Sequence, residues 1–224
     1  MGNRPRFAPG EWYHCFSRGV DKRTVFESSN DYNRFVDLLF LVNSTESIRR
    51  SDLKVSREKL FKQDRLDTFV SIGAYALMPN HFHLVLYEKT GTGISNFMRR
   101  LGIAYAMYFN IKNNRVGNLF VKPFRSKHLA HDEYFQHCMN YVHLNPIELL
   151  EPGWKQGIVR EQSTLESRLI RYPYSSLPDL YLEGQRPEAA ILGKEIHSLL
   201  QKRPAVEMLS EAREYYAENV KMLS

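Results

Sequence analysis

The chain has 224 residues, 43% apolar and 25% charged, with a formal net charge of +6, enough apolar material for one sizeable core. Two cysteines, Cys15 and Cys138, are too few for a disulfide framework or a cysteine zinc cluster, and the longest apolar run, Leu38 to Val42, is far too short to span a bilayer. The polar opening, Met1 to Trp12, contains no apolar stretch of the secretory kind, so a cytoplasmic protein with no membrane partner is expected.

Glu11 to Arg18 reads as a strand, with Trp12, His14 and Phe16 on one face and Tyr13 and Cys15 on the other. Gly19 and Asp21 break it. Asn30 or Asp31 is expected to cap a helix that carries Phe35, Leu38, Leu39 and Val42 on one side. Thr45 to Asp67 is charged, poor in aromatics, and reads as an exposed insertion. Asp67 to Leu77 and His81 to Tyr87 form two strands joined by the tight connection Met78-Pro79-Asn80, which predicts an antiparallel pair. Ile94 to Ile111 is a long amphipathic helix with Phe97, Leu101, Tyr105 and Tyr108 at helical spacing. Leu119 to Leu129 is a strand or an extended segment interrupted at Pro123. Asp132 caps a helix from Glu133 to about Leu144, which Pro146 stops.

The order β-α-β-β-α-β followed by a helix predicts a mixed α/β (α+β) fold of the ferredoxin-like, split βαβ kind, with a central antiparallel sheet. Residues 1–150 are expected to form the main domain, with the insertion at about 45–67. Residues 151–224 are expected to be a C-terminal helical appendage: irregular from Pro152 to Ser176, then two helices between Gly193 and Leu223 divided near Pro204.

Charge is distributed unevenly. Between Lys89 and His131 there is no Asp or Glu, yet the stretch holds Lys89, Arg99, Arg100, Lys112, Arg115, Lys122, Arg125 and Lys127. Phe97, Tyr105, Tyr108, Phe109, Phe120 and Phe124 lie among them. Cations neutralise phosphates and rings stack on unpaired bases, so nucleic acid is one reading. A solvated basic face over core aromatics is the other.

His81-Phe82-His83 is the sharpest local feature. Strand side chains alternate, so the two imidazoles share a face about 7 Å apart along the strand, while Phe82, Leu84 and Leu86 point to the core. Two neutral imidazoles can share one divalent ion; two half-buried histidines bonded to backbone carbonyls would look the same in sequence. A histidine-triad hydrolase would need a third alternating histidine where Val85 stands. A paired His-x-Thr/Ser phosphoesterase would need hydroxyls where Val85 and Phe16 stand.

Tyr141 and Asn145 lie four apart on the helix that Pro146 ends, hence on one face. The Asn145 amide oxygen can complete a metal's ligand set while the phenol is aimed at a phosphate bound there. A phenol with an unperturbed pKa of about 10 comes within reach of ionisation beside a cation. Its phosphodiester keeps a good leaving group, which suits reversible strand cleavage better than hydrolysis. Among 13 tyrosines a single one carries little weight; the pairing with Asn145 and the histidines raises Tyr141 above the rest.

Taken in order, Tyr13-His14, Ser17-Arg18-Gly19, Arg23, Val25-Phe26, Met78 to Leu84, Gly117 to Phe120 and Tyr141 to Pro146 resemble the bacterial REP-associated tyrosine transposases of the HUH single-tyrosine superfamily. The resemblance covers residues 11–147 and extends weakly through Tyr172-Pro173-Tyr174-Ser175-Ser176. It implies a nucleophile at Tyr141 and Mg²⁺ or Mn²⁺ held by His81, His83 and Asn145. It also implies cleavage and rejoining of single-stranded DNA, at or beside hairpins from repetitive palindromic sequences, through a 5′-phosphotyrosine. Monomer and homodimer are both compatible with it. The candidate DNA contacts are Arg99, Arg100, Arg115, Lys122, Arg125 and Lys127 for phosphates, and Phe120 and Phe124 for bases. A silent nucleic-acid-binding domain on the same fold is the alternative. The longer insertion, and Tyr at 172 and 174 where the family has Trp, leave the DNA sequence preference open.

Overall fold

The computed structural model describes residues 6–46, 56–152, 154, 162–182, 186–196, 199, 207–208 and 210. Four strands, β1 (Trp12–Arg18), β2 (Val70–Met78), β3 (His81–Glu88) and β4 (Arg125–His128), form an antiparallel sheet in the order β2-β3-β1-β4. This is the expected split βαβ arrangement: α1 (Ser29–Leu41) connects β1 to β2 and leaves room between them for β3.

One face of the sheet is covered by α1 and α3 (Gly93–Lys112). Tyr13 and Cys15 of β1, Tyr75 and Leu77 of β2, and Phe82, Leu84 and Leu86 of β3 point into this layer and meet Phe35, Leu39, Phe97, Leu101 and Tyr105. The cap of α1 is Ser28, not Asn30 or Asp31. Asp31 instead stands at the third helical position, where its Oδ2 accepts from the Glu27 and Ser28 backbone N–H groups to complete a capping box. The same carboxylate accepts from Lys112 Nζ at 2.7 Å and from Tyr108 OH at 2.9 Å, which fixes the end of α3 to the start of α1. At the other end of α3, the buried Glu88 carboxylate accepts from the N–H groups of Thr90, Gly91, Gly93 and Ile94, so the last residue of β3 caps the next helix.

The opposite face carries α4 (Asp132–Leu144). Phe135, Cys138, Met139 and Val142 pack on Trp12, Ala74, Ala76 and Val85. A β-bulge between Ile72 and Ala74 puts Gly73 under Trp12, where a Cβ would lie 2.7 Å from the indole. The glycine and the two alanines let α4 sit close to the sheet.

The extended segment at 119–129 is interrupted at Pro123: Val121 N–H still donates to Arg18 O and Leu129 N–H to Trp12 O, but only Arg125–His128 forms a continuous ladder. Of the insertion, residues 47–55 lie outside the described residues; α2 (Arg57–Leu60) follows, and Leu60 and Phe61 are buried, Phe61 against Phe40. This part is therefore anchored to the core, against the expectation of a wholly exposed insertion.

After α4 the chain forms α5 (Ile147–Leu150), α6 (Gln162–Ile170) and α7 (Leu177–Tyr181). The helix α6 falls where irregular chain was expected. Its apolar residues are Leu165, Leu169 and the terminal Ile170, of which Leu165 and Leu169 bury against Leu144, Ile147 and Leu177. The two helices expected between Gly193 and Leu223 fall mostly outside the described residues; Lys194–Ile196 is a 3₁₀ turn. Tyr172–Ser176 and Leu192–Gly193 lie along the outer edge of β2: Leu77 N–H donates to Tyr174 O, Ser176 N–H to Tyr75 O and Gly193 N–H to Ile72 O, each at 2.9 Å. Among the described residues no helix is long and apolar enough to cross a membrane.

Candidate active site

Three strands and one helix build the site. Residues of one parity on β1 and β3, His14 and Phe16, His81 and His83, point to the α4 face, and Arg125 and Lys127 of β4 join them by register. Toward the end of the sheet nearest Arg18, α4 no longer fills the space with apolar side chains. It presents Tyr141 instead.

The Tyr141 ring stands edge-on to His83, centroids 5.4 Å apart, and to His14 at 5.9 Å. The His81 and His83 rings are 5.1 Å apart and nearly perpendicular. A cleft of about 320 Å³ opens here, walled by His81, His83, Phe16 and Tyr141 and rimmed by Arg18 and Arg125, with Val121 and Pro123 closing one side. Tyr141 is 41% exposed while its neighbours Val142 and His143 are buried. An aromatic ring left this open beside two imidazoles is not there to fill the core.

Asn80, in the β2–β3 turn, has its Oδ1 2.6 Å from His81 Nδ1, and its Nδ2 donates to Lys22 O at 3.1 Å. The loop after β1 wraps this turn: Gly19 N–H donates to Asn80 O, and the N–H groups of Val25 and Phe26 to Pro79 O. At Gly19 a Cβ would approach Arg23 O to 2.5 Å, so only glycine lets the loop close over the turn. His14 Nε2 lies 2.8 Å from His83 Nδ1. Burial, helped by the positive charge of Lys127, lowers the pKa of His14 to about 4, so it is neutral at pH 7.

The helix carrying Tyr141 is held from behind. His143 is fully buried, its pKa lowered to about 4 by burial, and its Nε2 is 2.9 Å from Ser176 Oγ. That hydroxyl also accepts from Tyr75 N–H of β2. The segment 172–176 therefore ties α4 to the sheet, and the C-terminal region helps to position the site.

The structure brings together His81, His83 and Tyr141. Asn145 caps α4 one turn beyond Tyr141 and is half-buried; its Nδ2 donates to Tyr141 O at 2.8 Å, and it is not among the side chains that wall the cleft. Among the described residues no group of three or more His, Cys, Asp or Glu side chains gathers as a metal site. Two imidazoles and one amide oxygen are nonetheless a donor set suited to a divalent ion with open positions for phosphate oxygens and water.

The candidate DNA contacts divide by face. Arg125 rims the cleft, Lys127 Nζ sits 4.6 Å over the Tyr134 ring beside it, and Lys122 is exposed in the segment before β4. Arg99 is exposed on α3, behind the sheet. Arg100 donates to the Ser44 carbonyl and lies over Phe69, and Arg115 donates to Asn110 Oδ1 and lies over Phe109, so both brace the α3 layer. Phe120 is a correction: it is 7% exposed, packed against Phe35, Phe82 and Tyr105, and offers no face to a base. Phe124 is half-buried and stacked on Phe7. Sequence reasoning missed the roles of His14 and Asn80. The parity of His14 with Phe16 on β1 was the available signal.

The model of the IS200-like transposase family matches residues 31–147, more than half the chain. The chain belongs to that family, and so to a class of DNA-acting transposases that generally use a divalent metal. Among solved structures it is similar in fold to a REP-associated tyrosine transposase bound to a REP hairpin, with a TM-score of 0.52 and 14% identity over 91% of this chain and 96% of that one. No curated protein matches it.

Proposed function

We propose that this transposase cleaves and rejoins single-stranded DNA at or beside hairpins of repetitive palindromic elements, with Tyr141 as the nucleophile. The observation that carries the reading is the half-exposed Tyr141 ring held 5.4 Å from His83 across an open cleft. The solved neighbour's hairpin supports the choice of DNA. Tyr141 and both histidines come from the same chain, which suits a monomer and is equally open to a homodimer.

The Tyr141 phenolic oxygen attacks the phosphorus. A P–O bond to tyrosine forms, the P–O3′ bond breaks, and the phenolic proton is balanced by the one gained at the departing 3′ oxygen. The products are a 5′-phosphotyrosine and a free 3′-OH, and attack by another 3′-OH reverses the step with no external energy. His81, His83 and the Asn145 amide oxygen would hold Mg²⁺ or Mn²⁺, which polarises the non-bridging oxygens when bound. Arg18 and Arg125 at the rim grip the flanking phosphates, and Lys122 and Lys127 extend that basic track. We assign catalysis to residues 1–150 and support of the tyrosine helix to residues 151–224.

The test is incubation with hairpin-flanked single strands and Mn²⁺, then a denaturing gel and peptide mass mapping. A DNA remnant on Tyr141, absent in Tyr141→Phe, is expected. Cleavage that persists in Tyr141→Phe, or that leaves no covalent adduct, overturns the nucleophile. Binding without any cleavage favours the silent DNA-binding domain.

A further inference from the structure

We infer that Asn80 and His14 are positioning residues that hold both strand imidazoles in the Nδ1–H tautomer, so that each turns an Nε2 lone pair to the metal. The inference rests on the metal reading above and deepens it, because it names what prepares the ligands.

For His81 the assignment follows from hydrogen-bond logic. The Asn80 side chain has one donor end and one acceptor end. Its Nδ2 donates to Lys22 O at 3.1 Å, which fixes which end faces the loop. The atom 2.6 Å from His81 Nδ1 is therefore the amide oxygen, which can only accept. His81 must donate from Nδ1, and its Nε2 then carries the lone pair. Lys22 O is in place because the loop from Gly19 to Phe26 is itself bonded to the turn at Pro79 and Asn80. The post-β1 loop thus reaches the histidine through a single amide.

For His83 the partner is another imidazole. His14 is buried on the neighbouring strand, directly behind His83, with its Nε2 2.8 Å from His83 Nδ1 and the two rings stacked at 5.0 Å. One proton is shared by that pair of nitrogens. If it sits on His83, His14 accepts and His83 Nε2 is a ligand; if it sits on His14, His83 must carry its own proton on Nε2 and cannot bind an ion. We assign the first arrangement: His14 is buried, cannot swing away, and presents its Nε2 lone pair to the His83 Nδ1–H. Partners of this kind typically change metal affinity by about 10–100-fold.

The decisive measurement uses the metal-free protein: long-range ¹⁵N–¹H correlation spectra of the histidine side chains. His81 and His83 are both expected as Nδ1–H tautomers, and an Nε2–H pattern at either one overturns the inference for that residue. The second measurement is Mn²⁺ affinity by electron paramagnetic resonance titration. Asn80→Ala and His14→Leu are expected to bind Mn²⁺ roughly 10–100-fold more weakly. Asn80→Asp and His14→Gln each keep an acceptor and are expected to recover most of that loss. Asn80→Asp also gives up the donor to Lys22 O, so it separates acceptance from mere loop packing. Equal losses in the alanine and aspartate variants would overturn the positioning role. If the parent protein fails to bind Mn²⁺ at all, the proposed function loses its metal, while the tautomer assignment is still judged by the spectra.

Discussion

The two faces of the sheet use the same strands for opposite purposes. On the α1/α3 side, Phe35, Phe82, Tyr105 and Phe120 interlock through edge-to-face and tilted ring contacts and the layer is closed. On the α4 side, the alternate residues of β1 and β3 change from Trp12 and Val85 at one end to Phe16, His83 and His81 at the other, and the packing opens into a cleft. A period of two therefore divides labour within each strand: one parity is core throughout, and the other is core at the Trp12 end and lines the cleft at the His81 end. Substitutions on the two faces should separate accordingly.

The largest separation is expected at His81. It is half-buried and outside both aromatic layers, so His81→Ala should shift the melting temperature little. If His81 is a ligand of the proposed metal, whose stabilisation of transition-state charge is worth several kcal/mol, its loss should reduce single-strand cleavage by roughly 10³-fold. Chelation with EDTA should reproduce the loss in the parent protein. On the other face Phe35, fully buried, should behave in reverse. Phe35→Ala should destabilise by about 3–5 kcal/mol in denaturant titration, while the fraction that remains folded keeps its cleavage rate. A variant that lost both properties together on either face would show that the parities are not independent.

A smaller contrast concerns charge. Arg125 rims the cleft and Arg100 braces α3 through the Ser44 carbonyl. Arg125→Ala should weaken DNA binding across all sequences and reduce the slope of log affinity against log salt by about 1. Arg100→Ala should leave that slope unchanged and cost about 1–2 kcal/mol of stability through unpaired carbonyls and lost packing on Phe69. Salt-dependent binding titrations of the two variants decide it.

The same contrast explains what could be read from the sequence. The order of elements along the chain, the His81/His83 face and the Tyr141 helix were legible because alternation and helical spacing are local. The acid-free stretch from Lys89 to His131 was legible as charge but not as a surface, since Arg99 and Arg100 of α3 project behind the sheet and Arg125 of β4 in front of it. Phe120 was misplaced for a related reason: a ring beside basic residues has the same sequence signature whether it stacks on a base or on Phe82. His14 and Asn80 act through partners set by strand register and loop closure, and no periodicity reports those. The helix α6 carries too few apolar residues to announce itself until Leu144 and Ile147 supply the other half of its core.

The smallest effect on cleavage is expected at the far edge of the sheet, where the side chain of Asp179 of α7 is buried 3.2 Å from Arg186, with neither carboxylate oxygen in hydrogen-bond geometry. The Arg186 guanidinium also serves the Tyr75 hydroxyl, the Pro173 and Ser175 carbonyls and Glu188. Burial outweighs that divided attraction, Glu188 adds repulsion, and the Asp179 pKa rises from 3.8 to about 7. The folded state thus holds this proton more tightly than the unfolded chain does. The group's contribution is fully present below pH 3.8 and is lost as pH rises through 7. Asp179→Asn cannot ionise, so its stability relative to the parent should grow by roughly 3–4 kcal/mol between pH 4 and pH 8, about 1.4 kcal/mol for each unit of the raised pKa. Cleavage should not change, because Asp179 is not among the residues that line the cleft. A parent and variant whose denaturation midpoints stay parallel across that pH range would mean that Arg186 alone keeps Asp179 charged. The Asp179–Arg186 contact would then be an ordinary ion pair within the C-terminal segment.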